Sequence, residues 1–240
     1  MSAAAAQAGA LLERDPAIAA VRAALAAGRN LLVHGPAGVG KSALLRAALE
    51  GQPRTPLFCS APTAAGLYRQ ALRALGAADA RAAEALSSLR CRQKLAAAFA
   101  AQPCCLVWDP APAAARVVAN RLRDVLRASA VPLVCAAASP YMEAIGHLSI
   151  FFSLQSERLR VPPLSPPAAR RFAEREAVRL QVHFDDAERV LAELLRLAQG
   201  RPGEIQALLA MTRLPRYRQG NAVTLRLLYL DRLTGARHGD

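Results

Sequence analysis

The sequence predicts an α/β fold, a parallel sheet flanked by helices, with a small helical domain at its C-terminal end. Three observations carry that expectation. Between residues 30 and 161, short apolar runs alternate with stretches at helical spacing. The order strand, helix, strand, helix implies parallel pairing through right-handed crossovers. After Pro162-Pro163-Leu164-Ser165-Pro166-Pro167 the alternation stops, and helical patterns dominate the rest of the chain.

Residues 11–27 open on a charged turn, Glu13-Arg14-Asp15-Pro16, and continue as an amphipathic helix. Asp15 is the expected cap, with Pro16 in the first turn and Gly28 at the end. Residues 30–33 are the first strand. After a glycine-rich loop, residues 43–49 continue at helical spacing. The second strand is expected at 56–60. A helix comes next over 63–75, where Leu67, Tyr68, Ala71, Leu72 and Leu75 recur on one face. Residues 80–100 read as one Arg-rich helix or a pair. The third strand, 103–109, carries an acid, Asp109, at its carboxyl end. A helix over 114–128 has Val117, Val118, Leu122 and Leu126 on its expected buried face. Strands at 131–136 and near 159–161 complete the sheet. Helices are expected over 168–180, 185–198 and 203–212, then a tail with an apolar patch at 223–230.

The chain has 240 residues, is 53 % hydrophobic and 20 % charged, and so is globular rather than disordered. Aromatics are only 5 %, which makes the expected core aliphatic. A net charge of +13 makes nucleic acid the first candidate polyanion; the alternative is arginine spread over solvated helix faces. Cys59, Cys91, Cys104, Cys105 and Cys135 form no C-x-x-C pair, which suits a reducing, cytoplasmic setting. His34, His147, His183 and His238 lack metal-ligand spacing. Residues 1–10 have no basic region of the signal-peptide kind. No uncharged run approaches the ~20 residues of a membrane span, so no membrane association is expected.

The loop after the first strand carries the chemistry. Gly35-Pro36-Ala37-Gly38-Val39-Gly40-Lys41-Ser42 fits G-x-x-x-x-G-K-[ST], between a strand and a helix as its mechanism requires. A triphosphate must be held without bulky side chains in the way. Glycines let successive N–H groups turn inward as an anion nest, and the helix starting near Lys41 adds its positive end. Lys41 is a compact charge for the outer phosphates, and the Ser42 hydroxyl is a hard oxygen for Mg²⁺. Lys occurs only at 41 and 94, and one of the two sits where Arg would be too large and too planar. The fold expectation is therefore a P-loop NTPase sheet. Asp109, at the carboxyl edge of a strand, is placed to orient the metal.

Over about residues 11–213 the chain resembles AAA+ and STAND-type P-loop ATPase modules. The branch it looks most like holds origin-recognition ATPases, archaeal-type ATPases and the ATPases of transposon target selection. Gly35 to Ser42 matches Walker A, and Cys104 to Asp109 matches Walker B. Glu13-Arg14-Asp15 is similar to the family's charged turn, which implies a place for Arg14 near the adenine. Ser139 lies where the family puts a polar sensor of the γ-phosphate. Residues 159–165 resemble the junction into the helical lid, and Gly200-Arg201-Pro202-Gly203 the stretch where that lid approaches the nucleotide. The resemblance implies domains at 1–161 (nucleotide-binding), 162–213 (lid) and 214–240 (tail). It implies ATP with Mg²⁺, held by Ser42 directly and by Asp109 through water. GTP is not excluded by the residues alone, although no guanine-reading N-K-x-D is present.

Two departures from the family pattern stand out. Pro110 comes after Asp109 where briskly hydrolysing members carry Glu, and proline cannot act as a base. Gly203 stands where a lid arginine is expected; either Arg201 substitutes or the contact does without arginine, as in STAND-like modules. Arg158 or Arg160 is a candidate arginine finger, the alternative being a solvated strand-end arginine. Two functions are compatible with these residues: an ATP-driven switch or motor acting on nucleic acid, or a slowly hydrolysing, nucleotide-dependent protein-binding module. Both imply a homo-oligomer or a partner protein.

Overall fold

Five short strands, β1 (Leu31–His34), β2 (Thr55–Cys59), β3 (Cys104–Trp108), β4 (Leu133–Ala137) and β5 (Arg158–Arg160), pair in parallel. Their order is β2-β3-β4-β1-β5. The computed structural model describes residues 11–219 and 222–234. They gather in two units: 11–35 with 41–161, and 36–40 with 162–219 and 222–234.

In the first unit, β3 and β4 are buried along their whole length, the condition of central parallel strands covered on both faces. Around the sheet run α1 (Asp15–Ala26), α2 (Lys41–Leu49), α3 (Ala64–Ala74), α4 (Ala80–Ala85), α5 (Ser88–Ala101), α6 (Arg116–Ala128) and the short α7 (Met142–Ile145). Residues 80–100 thus resolve as a pair, broken where Leu86 is extended and Ser87 caps α5 by accepting from Arg90 N–H at 3.3 Å. Thr63 caps α3 in the same way, accepting from Gly66 N–H at 3.2 Å. One core joins Leu57, Leu67, Leu72, Leu95, Leu106, Trp108, Leu122 and Leu133, each under 2 % exposed. Burying such side chains stabilises by about 1.5–3 kcal/mol apiece. Trp108 satisfies its indole N–H on Ala61 O at 2.9 Å.

Two expectations are corrected. Asp15 does not cap α1: Glu13 takes a positive φ of 58°, Arg14 occupies the cap position, and Asp15 is already the first helical residue. Its carboxylate still lies in the first turn, where the helix dipole favours it. On α6 the buried face is Ala119, Leu122, Val125 and Leu126, whereas Val117 is 53 % exposed.

The second unit is built on α8 (Pro166–Arg179), α9 (Ala187–Ala198) and α10 (Pro202–Met211). Ser165 caps α8 and Asp186 caps α9, each accepting a backbone N–H. Phe172, Ala173, Val190, Leu191, Leu194, Ile205, Leu208 and Leu209 form its buried interior. Short strands β6 (Arg218–Gln219) and β7 (Ala222–Val223) pair antiparallel, and α11 (Leu225–Thr234) comes after them. The apolar patch expected at 223–230 therefore lies mostly on a helix. The reading of residues 1–10 as a poor signal peptide falls outside the described residues, as do residues 220–221 and 235–240 of the tail expected at 214–240.

Candidate functional site

The loop 35–42 begins where β1 ends. Gly35 N–H donates to Ala137 O at 3.2 Å and prolongs the β1–β4 pairing by one step. Gly38 (φ 75°) and Gly40 (φ 97°) then turn through the left-handed region, which a side chain would resist. Between them Val39 is fully buried and anchors the loop. Pro36, Ala37 and Gly38 are exposed, and Gly40 is half-buried.

Lys41 opens α2. Its half-buried ammonium donates to Gly35 O at 2.8 Å, so the side chain lies back along the loop. Burial pulls the Lys41 pKa below the ordinary lysine value, and the Asp109 carboxylate pushes it the other way. Asp109 is half-buried at the carboxyl end of β3, and its N–H continues the ladder to Cys59 O at 2.9 Å. One strand, β4, separates β1 from β3, so their carboxyl ends are about 10 Å apart. Ser42 is exposed in the first turn of α2. Among the described residues no three His, Cys, Asp or Glu side chains gather as a metal cage. A hydroxyl and one carboxylate suit Mg²⁺, which keeps several of its waters and takes few protein oxygens. Within the first unit, Lys41, Ser42 and Asp109 are groups of the kinds that suit a magnesium-bound phosphate.

His34 ends β1, directly before the loop. Its pKa is lowered first by burial, then by Arg160, Arg158 and Lys41. The spacing of His34 suits no zinc site, and its position immediately before Gly35 is what brings it to the loop. Arg158 Nε donates to Phe152 O at 3.0 Å, while Arg160 is exposed. Ser139 lies just past β4, accepts Tyr141 N–H at 3.4 Å and donates to the Glu143 carboxylate at 3.3 Å. Arg14 is 4 % exposed, and burial lowers its pKa against the opposing pull of Glu13.

In the second unit, Arg201 precedes α10 and donates from Nε to Ala198 O at 3.1 Å. Gly203 N–H donates to Gly38 O at 2.7 Å. A Cβ added at Gly203 would come within 2.9 Å of Gly38 Cα and 3.1 Å of Gly38 O. The position read as a missing arginine is thus one where even a methyl group is crowded.

The fold is shared with solved structures of low sequence identity. The Orc1 protein of Aeropyrum pernix in complex with DNA superposes with a TM-score of 0.69 at 19 % identity, over 95 % of this chain and 66 % of that one. Cdc6p of Pyrobaculum aerophilum gives 0.64 at 14 % identity, over 95 % and 64 %. The Walker-type ATPase PABY2304 of Pyrococcus abyssi gives 0.62 at 16 %, over 94 % and 74 %. The chain therefore spans just under two thirds of the Orc1 and Cdc6p chains. No curated protein matches it. Residues 10–228 match the AAA ATPase domain, and the chain belongs to that family.

Proposed function

We propose that the chain binds Mg-ATP on residues 35–42 and acts as a nucleotide-dependent switch or motor on nucleic acid. The observation that carries this is the loop between β1 and α2, with Lys41 laid along it and Asp109 at the end of β3. The amides of 35–42 and Lys41 would hold the phosphates; Ser42 and, through water, Asp109 would hold the metal. Ser139 and Arg201 are the proposed polar contacts to the γ-phosphate and from the lid, and Arg14 is the proposed adenine-side residue. Residues 162–213 are the proposed lid. Arg158 or Arg160 would serve as an arginine finger only in an oligomer. The nucleic-acid part rests on the net charge of +13 and on a fold shared with an Orc1 solved with DNA. A cytoplasmic setting fits five free, buried cysteines. No described helix is long and apolar enough to cross a membrane.

Pro110 favours a second reading. With no carboxylate after Asp109 to polarise water, turnover would be slow, and a partner protein would read the ATP-bound state. One experiment addresses both. Purified protein with Mg-ATP is scored for melting temperature, phosphate release and mass by light scattering, with and without DNA. The wild type should gain about 2.7 kcal/mol at a hundredfold excess of ATP over Kd, and Lys41→Ala should lose that gain. A wild-type melting curve indifferent to Mg-ATP would refute both readings. Slow phosphate release with an ATP-dependent change of mass would select the second.

A further inference from the structure

Helix α6 carries Arg116, Asn120, Arg123 and Arg127 at spacings of four, three and four residues. On a helix these positions fall within roughly 60° of one another and run about 16 Å along the axis. All three arginines are exposed, and Asn120 is half-buried beside them. The row borders the buried face of α6 on the side of Ala119, and Asp124 and Arg121 occupy the exposed face on its other flank.

This arrangement works against the helix that bears it. Arg116 is the first helical residue, at the positive end of the dipole, and the first turn holds no acid. Arg123 and Arg127, four apart, are like charges in contact range. Among the described residues no carboxylate pairs with any of the three. Some exposed arginines elsewhere in the chain are paired, as Arg170 is with Glu174 and Glu188. A row that local electrostatics disfavours and no ion pair offsets is suited to an external polyanion.

Resting on the nucleic-acid part of the proposed function, we propose that this row on α6 binds the phosphate backbone of duplex DNA. Guanidinium groups bind phosphate oxygens in a planar, two-pronged fashion. A straight, rigid row matches the regular charge of a duplex, one phosphate per ~3.4 Å of rise on each strand. The row contains no aromatic side chain on which unstacked bases could lie, which argues against single strands. The B-form major groove admits a helix, whereas the A-form groove of duplex RNA is too narrow to enter.

The test is filter binding of a random-sequence DNA duplex to the full chain with Mg-ATP across a range of salt. The wild type is compared with R116Q/R123Q/R127Q and with R171Q/R189Q/R213Q, which removes equal charge from exposed positions elsewhere. Glutamine keeps the helix propensity, and far-UV circular dichroism checks the fold. The first triple variant should flatten the plot of log affinity against log salt by about 2.7, from three contacts at about 0.9 each, and the second should not. Each single variant on α6 should flatten it by about 0.9. If wild type binds DNA and the α6 variants keep its slope, the row is not the contact, although the nucleic-acid reading stands. If wild type binds no DNA at low salt, that reading fails and takes the row with it. Equal losses for duplex RNA, or retention of polyglutamate in place of DNA, would also overturn the assignment.

Discussion

Gly203→Ala tests the contact between α10 and the glycine loop most directly. The new Cβ would meet Gly38 Cα at 2.9 Å, more than half an ångström inside the usual carbon contact of about 3.5–4.0 Å. The neighbour is backbone, which cannot swing aside as a side chain can. Overpacking of this kind costs about 1–3 kcal/mol. Alanine returns up to about 1 kcal/mol as the better helix former, less in a first turn than in an interior. The net loss is about 1–2 kcal/mol, and for a chain of this size melting falls by about 2–8 °C. The local effect should exceed the global one. Relief of the clash displaces Gly38 and weakens the 2.7 Å bond from Gly203 N–H. The stabilisation by Mg-ATP should therefore fall well below the wild-type value of about 2.7 kcal/mol at a hundredfold excess over Kd. Differential scanning fluorimetry with and without Mg-ATP measures both quantities. A variant that melts at or above wild type and keeps the full ATP shift would show that the contact does not shape the loop.

Gly146 has φ 55°, and a Cβ there would lie 2.4 Å from Ala114 O, so Gly146→Ala should cost about 3 kcal/mol or more, read as a fall in the urea midpoint. The lowered pKa of His34 means that the folded state disfavours the imidazolium, while the unfolded chain takes up the proton near 6.5. Its contribution is whole above that value and is lost as pH falls through the folded-state value; urea midpoints from pH 5 to 8 should rise with pH, and His34→Gln should flatten the rise. Burial pushes the Cys59 and Cys105 thiols up to about 12 and raises Cys135 as well, so thiol reagent at pH 8 should label these three only as fast as the protein unfolds. Labelling faster than unfolding would show that one of them is accessible in the native state.

The local setting of the candidate residues was legible, since residues 35–40 lie between β1 and α2 and Asp109 follows β3. Walker A is an eight-residue pattern between a strand and a helix, and Asp109 ends an apolar run; both are local signals. The sheet order was not legible, because β1 lies between β4 and β5 through pairings more than 100 residues apart. The error at Asp15 came from a turn no local rule flagged: Glu13 adopts φ 58°, and Arg14 O takes the Ile18 N–H at 2.8 Å. The error at Val117 came from weighting side-chain size over period. Ala119 sits three residues before Leu122, on the buried face, and a small residue there carries little hydrophobic signal.

Gly203 shows most clearly why a motif comparison differs from a structure. Against the family pattern it is a lost arginine. In the molecule it is one of two glycines whose backbones meet, Gly203 N–H on Gly38 O, with no room for a Cβ between them. An arginine reaches a phosphate through a long flexible side chain and can adapt to several loop positions. A backbone contact at 2.7 Å has no such slack, because close-packed atoms transmit displacements of a few tenths of an ångström. A ligand that moved Gly38 would move residue 203, and with it the first turn of α10, without any charged intermediary. At residue 203 the link to the loop is therefore made by backbone alone, through the bond to Gly38 O.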